Sequence, residues 1–535
     1  MNIAFINPPF FPKYSRGSRS PAVTKSGTVY YPIWLALAAG VAEKNGHNIT
    51  LVDAPAEAIS VEETMNRLSE FKPRIAVIET STGSISSDLH FAEEVKKKFD
   101  EVFVCLVGNH VTAVDKETLE QSKLIDAIAR NEYEATIVDL AKHLEKGGSL
   151  ENVLSLTWRQ GEEIVANGHR PALTQEELDA MPFASEIFKR FCDPKDYFFA
   201  AGRYPQMMVY TGRGCPYLCT WCVYPQNFYG HTYRHRSPTS IAAEFKYIEE
   251  NFPEVVEVTI EDDTYTVFKK HTIEVCKLLV EQNNKLTWTC NVRADLDEET
   301  MRWMKKAGCR LVIVGFESGS NEILKLMKKG VRVEQFTAAE NARKAGLLIH
   351  ACYMMGNRGE TIQTMNETLE LAKRLNTDTA QFFPLMLYPG TEAYDWAKKE
   401  GLVTAKTWDD WLTPEGLHNT VVGTHDLKPE EIVDFCNYAR REYYLRPAYL
   451  LMKVKNIIKH PSELKRTTKA FFTFYKYLFN KDSKDNKDKF KSKLNLDNSE
   501  LRSKGTIQNA NEKADKVNTR NSNKPSKQTV AREID

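Results

Sequence analysis

Gly214-Cys215-Pro216-Tyr217-Leu218-Cys219-Thr220-Trp221-Cys222 carries three thiols in a C-x3-C-x2-C run. The run follows a short apolar stretch at 207–210, so it reads as a loop at the carboxyl end of a β-strand. Three thiolates on one loop can hold three corners of a four-iron four-sulfur (4Fe-4S) cluster and leave the fourth iron without a protein ligand. A structural zinc site asks for a fourth ligand in C-x2-C style pairs, and neither His231 nor His235 completes that spacing. A chance grouping of thiols is the third reading.

Outward from the triplet, strand-like runs at 207–210, 257–260, 287–291, 311–315, 350–354 and 380–385 alternate with helical stretches. Six repeats are too few for a complete eight-stranded barrel, and a partial (β/α)6 barrel over 206–425 is the simplest closure. Upstream, β-branched runs at 2–6, 49–52, 75–78, 102–107 and 127–129 also alternate with amphipathic helices. They predict an α/β, doubly wound domain of flavodoxin or Rossmann type over 1–150, with its ligand at the strand carboxyl ends. A hairpin inside 151–205 reads as part of a linker. The chain turns helical over 426–480, where Lys and Arg mix with Leu, Ile, Phe and Tyr. That mixture suits either a cap packed on the barrel or a basic amphipathic surface touching a membrane. Residues 481–535, rich in Lys, Asp, Asn and Ser, read as a disordered polar tail.

The bulk numbers remove several classes. With 535 residues the chain is long enough for about three domains. Lys and Arg number 72 against 72 Asp and Glu, which gives no basic footprint for nucleic acid. Ten cysteines are too few for a disulfide scaffold of this length. Residues 1–11 lack a signal-peptide pattern, and the most apolar stretch, 31–42, is shorter than the roughly 20 residues of a membrane span. A cytoplasmic location is the expectation, with metal ligands or buried thiols as the ordinary roles for Cys. Cys276, Cys290, Cys309 and Cys352 read as buried thiols, Cys290 being the one placed to face a barrel cavity.

With Trp221 in the aromatic slot, the triplet resembles the C-x3-C-x-aromatic-C motif of the radical S-adenosylmethionine (SAM) superfamily. The resemblance implies that Cys215, Cys219 and Cys222 hold a 4Fe-4S cluster whose open iron chelates SAM, and that Trp221 lies against the nucleoside. It further implies SAM contacts at the ends of barrel strands: Asp262 and Asp263, Asn291 and Arg293, Glu317 and Ser318. The loops at 356–360 and 388–391 sit at the ends of the fifth and sixth strands. The former departs from the commoner Gly-Leu-Pro-Gly-Glu form.

A flavodoxin-type domain ahead of such a barrel resembles the cobalamin-binding class of the superfamily. Thr80, Ser81, Gly108, Asn109, His110, Asn131 and Glu132, at strand carboxyl ends, are then the candidates for contact with cobalamin. Asp88-Leu89-His90 only superficially resembles the Asp-x-His-x-x-Gly cobalt-ligand motif, and His90 reads as a helix residue. The strings at 30–36, 80–88, 129–134 and 230–237 look most like hopanoid-associated proteins of the HpnJ type. The main reading is therefore an enzyme that cleaves SAM and abstracts hydrogen from an unactivated C–H bond, rearranging a lipid or other natural-product head group. A cobalamin-dependent C-methyltransferase acting on another small molecule is the alternative, and a non-catalytic iron-sulfur electron carrier the second alternative. The expected partners are a small-molecule or lipid substrate, an electron donor such as flavodoxin or ferredoxin, and at most peripheral membrane contact. Tyr229, His231 and Arg234, with Gln226, Tyr233 and His235 beside them, are the candidate substrate contacts, because a cationic aromatic loop suits a polar head group.

Overall fold

The structure, a computed structural model, describes residues 1–459 and Phe490. The expected polar tail, and the part of the helical region beyond Lys459, otherwise lie outside the described residues.

The first sheet contains β1 (Asn2–Asn7), β2 (Asn48–Asp53), β3 (Ile75–Glu79), β4 (Phe103–Val107), β5 (Ala127–Ala129), β6 (Leu156–Gln160) and β7 (Glu163–Ala166), in the order β2-β1-β3-β4-β5-β6-β7. The first five strands are parallel and buried on both faces, as their unbroken apolar runs require. On one face Ala4, Ile6, Ala76 and Ile78 pack with Met65, Leu68, Leu89 and Val95 from the crossover helices. The chain reverses direction across the sheet at β1, between β2 and β3, and leaves a crevice at their carboxyl ends. The hairpin β6–β7 departs from the expected linker: it pairs antiparallel with β5 and extends this sheet. The hairpin thereby supplies partners for the backbone amides along the free edge of β5.

The second sheet contains β8 (Gln206–Val209), β11 (Glu257–Ile260), β12 (Thr287–Arg293), β13 (Cys309–Glu317), β14 (Leu348–Met355) and β15 (Thr379–Pro384), all parallel and in chain order. This is the six-repeat partial barrel. Between β8 and β11, the two-residue strands β9 (Gly212–Arg213) and β10 (Arg234–His235) pair antiparallel and tie off the cysteine loop. The last strand is covered by the helix Pro429–Tyr444, whose Tyr444 hydroxyl donates to the Ala380 carbonyl at 2.7 Å and accepts from its amide at 2.9 Å. The start of the helical region is thus a cap on the barrel. Cys276, Cys290 and Cys309 are fully buried, with Cys290 against Cys309 rather than open to a cavity. Among the described residues no helix is long and apolar enough to cross a membrane.

Candidate active site

The cysteine loop is shaped before any ligand arrives. Gly214 has φ +85°, and a Cβ there would lie 2.1 Å from the Thr232 carbonyl oxygen, so only glycine admits the β9–β10 closure next to Cys215. Gln226 clamps the other end. Its Nε2 donates to the carbonyls of Cys219, Thr220 and Cys222 at 3.2, 3.1 and 2.9 Å, while its Oε1 accepts from the Glu392 amide at 2.9 Å. Gln226 therefore serves the loop, where a substrate contact was expected. His231 likewise faces the Cys215 carbonyl, with Nδ1 at 3.0 Å.

Burial pushes all three thiols above their ordinary range, and the carboxylate of Asp263 adds to the effect at Cys215 and Cys222. Lys329 and Arg293 act against that rise at Cys219, and Arg19 at Cys222; a bound metal would offset the thiolate charge further. Among the described residues no three His, Cys, Asp or Glu side chains converge on a single ion. A 4Fe-4S cluster would spread its three thiolates over separate irons.

Two charged groups flank the loop. Near Cys219, Lys329 Nζ lies 2.9 Å from Glu317 Oε1 and 5.9 Å from the centroid of the Trp221 ring. Arg293 stacks over Tyr217 at 3.6 Å and donates to the carbonyl of Lys329 at 3.3 Å. Glu317 holds φ +63°, an uncommon conformation for a residue with a Cβ. Near Cys215 and Cys222, Arg19 pairs with Glu261 at 2.6 Å and Asp263 at 2.9 Å, and the Tyr229 hydroxyl donates to Asp263. The expected SAM set is thus divided. Trp221, Arg293 and Glu317 gather on one side of the loop, and Asp263 lies on the other. Asp262 instead accepts from the Thr211 amide and hydroxyl at 2.7 and 2.6 Å, and Asn291 donates to its carbonyl at 3.0 Å. Ser318 faces Thr368 Oγ1 at 3.3 Å and accepts from the Ser320 amide at 3.1 Å. These three hold strand ends in place. Sequence reasoning missed Arg19 and Lys329. Arg19 has a faint signal in the paired arginines of Ser15-Arg16-Gly17-Ser18-Arg19, but its partners lie 242 and 244 positions away.

A narrow pocket lies at the carboxyl edge of the first sheet. Thr80, Ser81, Gly108, Asn109 and His110 line it from the first domain, and Tyr224, Asn227 and Tyr388 from the barrel, with Arg19 between them. The loops after β3 and β4 touch closely there: Gly108 has φ +121°, and a Cβ on it would lie 2.5 Å from the Thr80 carbonyl oxygen. Five buried polar atoms on residues lining this cavity have no hydrogen-bond partner among the described residues: Trp34 Nε1, Glu79 Oε2, Asn109 Oδ1, His110 Nε2 and Tyr133 OH. Burial, with Asp53 nearby, pushes Glu79 up to about 8, and burial alone brings His110 down to about 3, so both are neutral near pH 7. Neutral donors and acceptors around a cavity suit the amide-fringed edge of a corrin, which both donates and accepts. The site fits cobalamin on that ground.

Asn131 and Glu132, also expected at cobalamin, do not line the cavity. Asn131 donates to the Asn227 carbonyl at 2.8 Å. Glu132 pairs with Arg234 and, at 3.1 Å, with Arg213, which also reaches Glu134 at 2.6 Å. Arg234, expected at substrate, instead ties the β9–β10 pair to the loop after β5. His90 stands on the outer part of the helix Ile85–Lys98, exposed and 3.5 Å from Glu94, away from any cobalt site. Its neighbour Asp88 is fully buried against Arg16 at 2.6 Å.

Residues 209–372 match the Radical SAM superfamily, and residues 19–141 match the B12 binding domain. The chain belongs to the radical SAM enzymes that carry a B12-binding domain, with a 4Fe-4S cluster, SAM and cobalamin as cofactors. It is 29% identical over 437 residues to a Pyrococcus horikoshii protein described as an uncharacterized methyltransferase, covering 81% of this chain and 91% of that one. It is 25% identical over 462 residues to the anaerobic magnesium-protoporphyrin IX monomethyl ester cyclase of Cereibacter sphaeroides, covering 84% and 71%. Its fold is similar to that of the radical SAM methyltransferase TsrM from Kitasatospora setae, solved with cobalamin and a 4Fe-4S cluster bound. The TM-score is 0.61 at 17% identity, over 81% of this chain and 84% of that one.

Proposed function

We propose that this chain is a cobalamin-dependent radical SAM methyltransferase acting on a small molecule. The observation that carries the reading is one cavity lined jointly by the first domain and by the barrel loops that follow the cluster cysteines. Methyltransferases among the similar proteins favour methyl transfer over the head-group rearrangement that the sequence resemblance implies. When bound, the reduced cluster supplies the electron that cleaves SAM, and cobalamin supplies a methyl carrier.

The protein's own groups bind, orient and shield. Gln226 and Gly214 fix the cysteine loop, so that the ligands are aimed before binding. Trp221 offers a flat face beside Lys329 and Glu317 for the nucleoside end of SAM. Asp263 and Glu261, held by Arg19, place paired carboxylates near the other two cysteines, where a cationic group is favoured. Tyr224, Phe228, Tyr229 and Trp34 form a continuous aromatic wall that keeps water from the space between the domains. A flavodoxin- or ferredoxin-type donor would provide the electrons.

The test is anaerobic turnover with loaded cluster, cobalamin, reductant and trideuteromethyl-labelled SAM. S-adenosylhomocysteine accompanied by a labelled product supports methyl transfer. Turnover that releases 5′-deoxyadenosine without S-adenosylhomocysteine defeats it and selects the second reading, hydrogen abstraction with rearrangement of a lipid head group. The exposed apolar face of the helix Pro447–Lys459 is the observation that favours that second reading.

A further inference from the structure

The helix Pro447–Lys459 presents Leu450, Leu451, Val454 and Ile458 to solvent, with 45%, 57%, 53% and 73% of their surface exposed. At about 100° per residue these four positions fall on one stripe of the helix. The other exposed large apolar residues among those described, Val61, Leu154, Tyr204, Leu218, Val256 and Phe268, come from separate segments of the chain. Scattered apolar residues need no explanation, whereas a contiguous stripe does. The helix is also anchored from its opposite side. Tyr449 is buried, its hydroxyl donates to the Asp378 carbonyl at 2.9 Å, and its ring lies 5.3 Å from Tyr443 and 5.0 Å from Tyr444. The fold therefore holds the apolar stripe outward.

Charge identifies the occupant. Across the whole chain basic and acidic residues balance at 72 each, but the helix sequence 447–459 contains Lys453, Lys455 and Lys459 and no acid. An apolar stripe within a basic segment complements an anionic bilayer, which takes the side chains into its acyl boundary and the lysines at its headgroups. A second copy of this chain would bring like charges together at the same face. We propose that this helix face is a peripheral docking surface for an anionic phospholipid membrane, with the helix lying in the interface plane. The proposal goes beyond the catalytic reading and stands without it.

The test uses the full-length protein with phosphatidylcholine vesicles, with and without phosphatidylglycerol, in a co-sedimentation assay. The protein should sediment with the anionic vesicles, not with phosphatidylcholine alone, and less as salt is raised. The double variant Leu451→Glu and Val454→Glu should weaken that binding by at least about tenfold, while its circular dichroism and thermal midpoint stay unchanged. Absence of binding to the anionic vesicles, equal binding by a folded variant, or a dimer in sedimentation velocity that the variant dissociates would each overturn the proposal. None of these outcomes alters the S-adenosylhomocysteine assay, so the two readings fail separately.

Discussion

The barrel mouth and the sheet edge, with Arg19 between them, meet a ligand in opposite conditions. At the barrel mouth charged groups are already paired inside the protein: Arg19 with Glu261 and Asp263, Lys329 with Glu317. At the sheet edge Glu79, Asn109, His110 and Tyr133 each keep a buried polar atom without a partner among the described residues. A ligand entering the mouth must exchange partners, while a ligand at the edge adds partners that the protein lacks. Exchange gives specificity with little net gain. Filling vacant sites gives affinity, because each unpaired buried group costs about 1–3 kcal/mol until it is satisfied.

The largest effect belongs to the mouth. Cys219→Ala removes one of the three proposed cluster thiolates, and both the iron-sulfur absorption and 5′-deoxyadenosine formation should be lost entirely in reconstituted protein. The fold should survive, since the cysteine loop is held independently by Gln226 and by the β9–β10 pairing. Retained deoxyadenosine formation would remove Cys219 from the ligand set.

Next in size is the contact that keeps mouth and edge together. Arg213 is buried between Glu132 and Glu134. Arg213→Met leaves two buried carboxylates without that cation and should destabilise the chain by about 3–5 kcal/mol in denaturant unfolding. A loss below about 1 kcal/mol would mean that the pair behaves like an exposed one, and that the domain junction rests on the aromatic wall instead.

Much of this organisation is legible in the sequence. The strand-helix rhythm fixes both sheets because buried parallel strands need unbroken apolar runs, and the cysteine spacing marks the loop after β8 because three ligands must come from one short segment. What the sequence conceals is pairing at long range. Nothing local tells Glu132 that it will meet Arg234, or Arg19 that it will meet Glu261, so a carboxylate at a strand end reads as a ligand contact when it is a domain joint. The hairpin is hidden for a related reason. Its alternation is visible, but the edge it covers, that of β5, is a long-range pairing that no local signal names.

A smaller effect tests the vacant edge directly. Tyr133→Phe deletes a hydroxyl with no partner among the described residues, so cobalamin-free protein should lose no stability and could gain some. Cobalamin retention should nevertheless weaken by about 1–3 kcal/mol, read by gel filtration and equilibrium dialysis. Equal affinity for both proteins would mean that the hydroxyl is satisfied by water in either state, and the contrast between edge and mouth would narrow to Glu79, Asn109 and His110.

The smallest effect is a slope against pH. Glu79 is held near 8 by burial first and by the Asp53 carboxyl second, whereas an unfolded glutamate titrates at about 4.3. The folded state therefore binds the proton more tightly than the unfolded one. The stabilisation from that proton is complete below the unfolded value and is lost as pH rises towards the folded one. Asp53, raised to about 7 by burial, adds to the same trend from a lower starting point. Cobalamin-free protein should accordingly lose thermal stability between about pH 4.3 and 8, and Glu79→Gln, which keeps the shape but cannot ionise, should flatten part of that decline. If cobalamin fills this pocket, an acceptor on it would take a hydrogen bond from the protonated Glu79 carboxyl and favour the protonated form to higher pH. Loading should therefore shift the decline upward in wild type and leave Glu79→Gln unmoved. A wild-type slope indifferent to cobalamin would place the corrin away from β3.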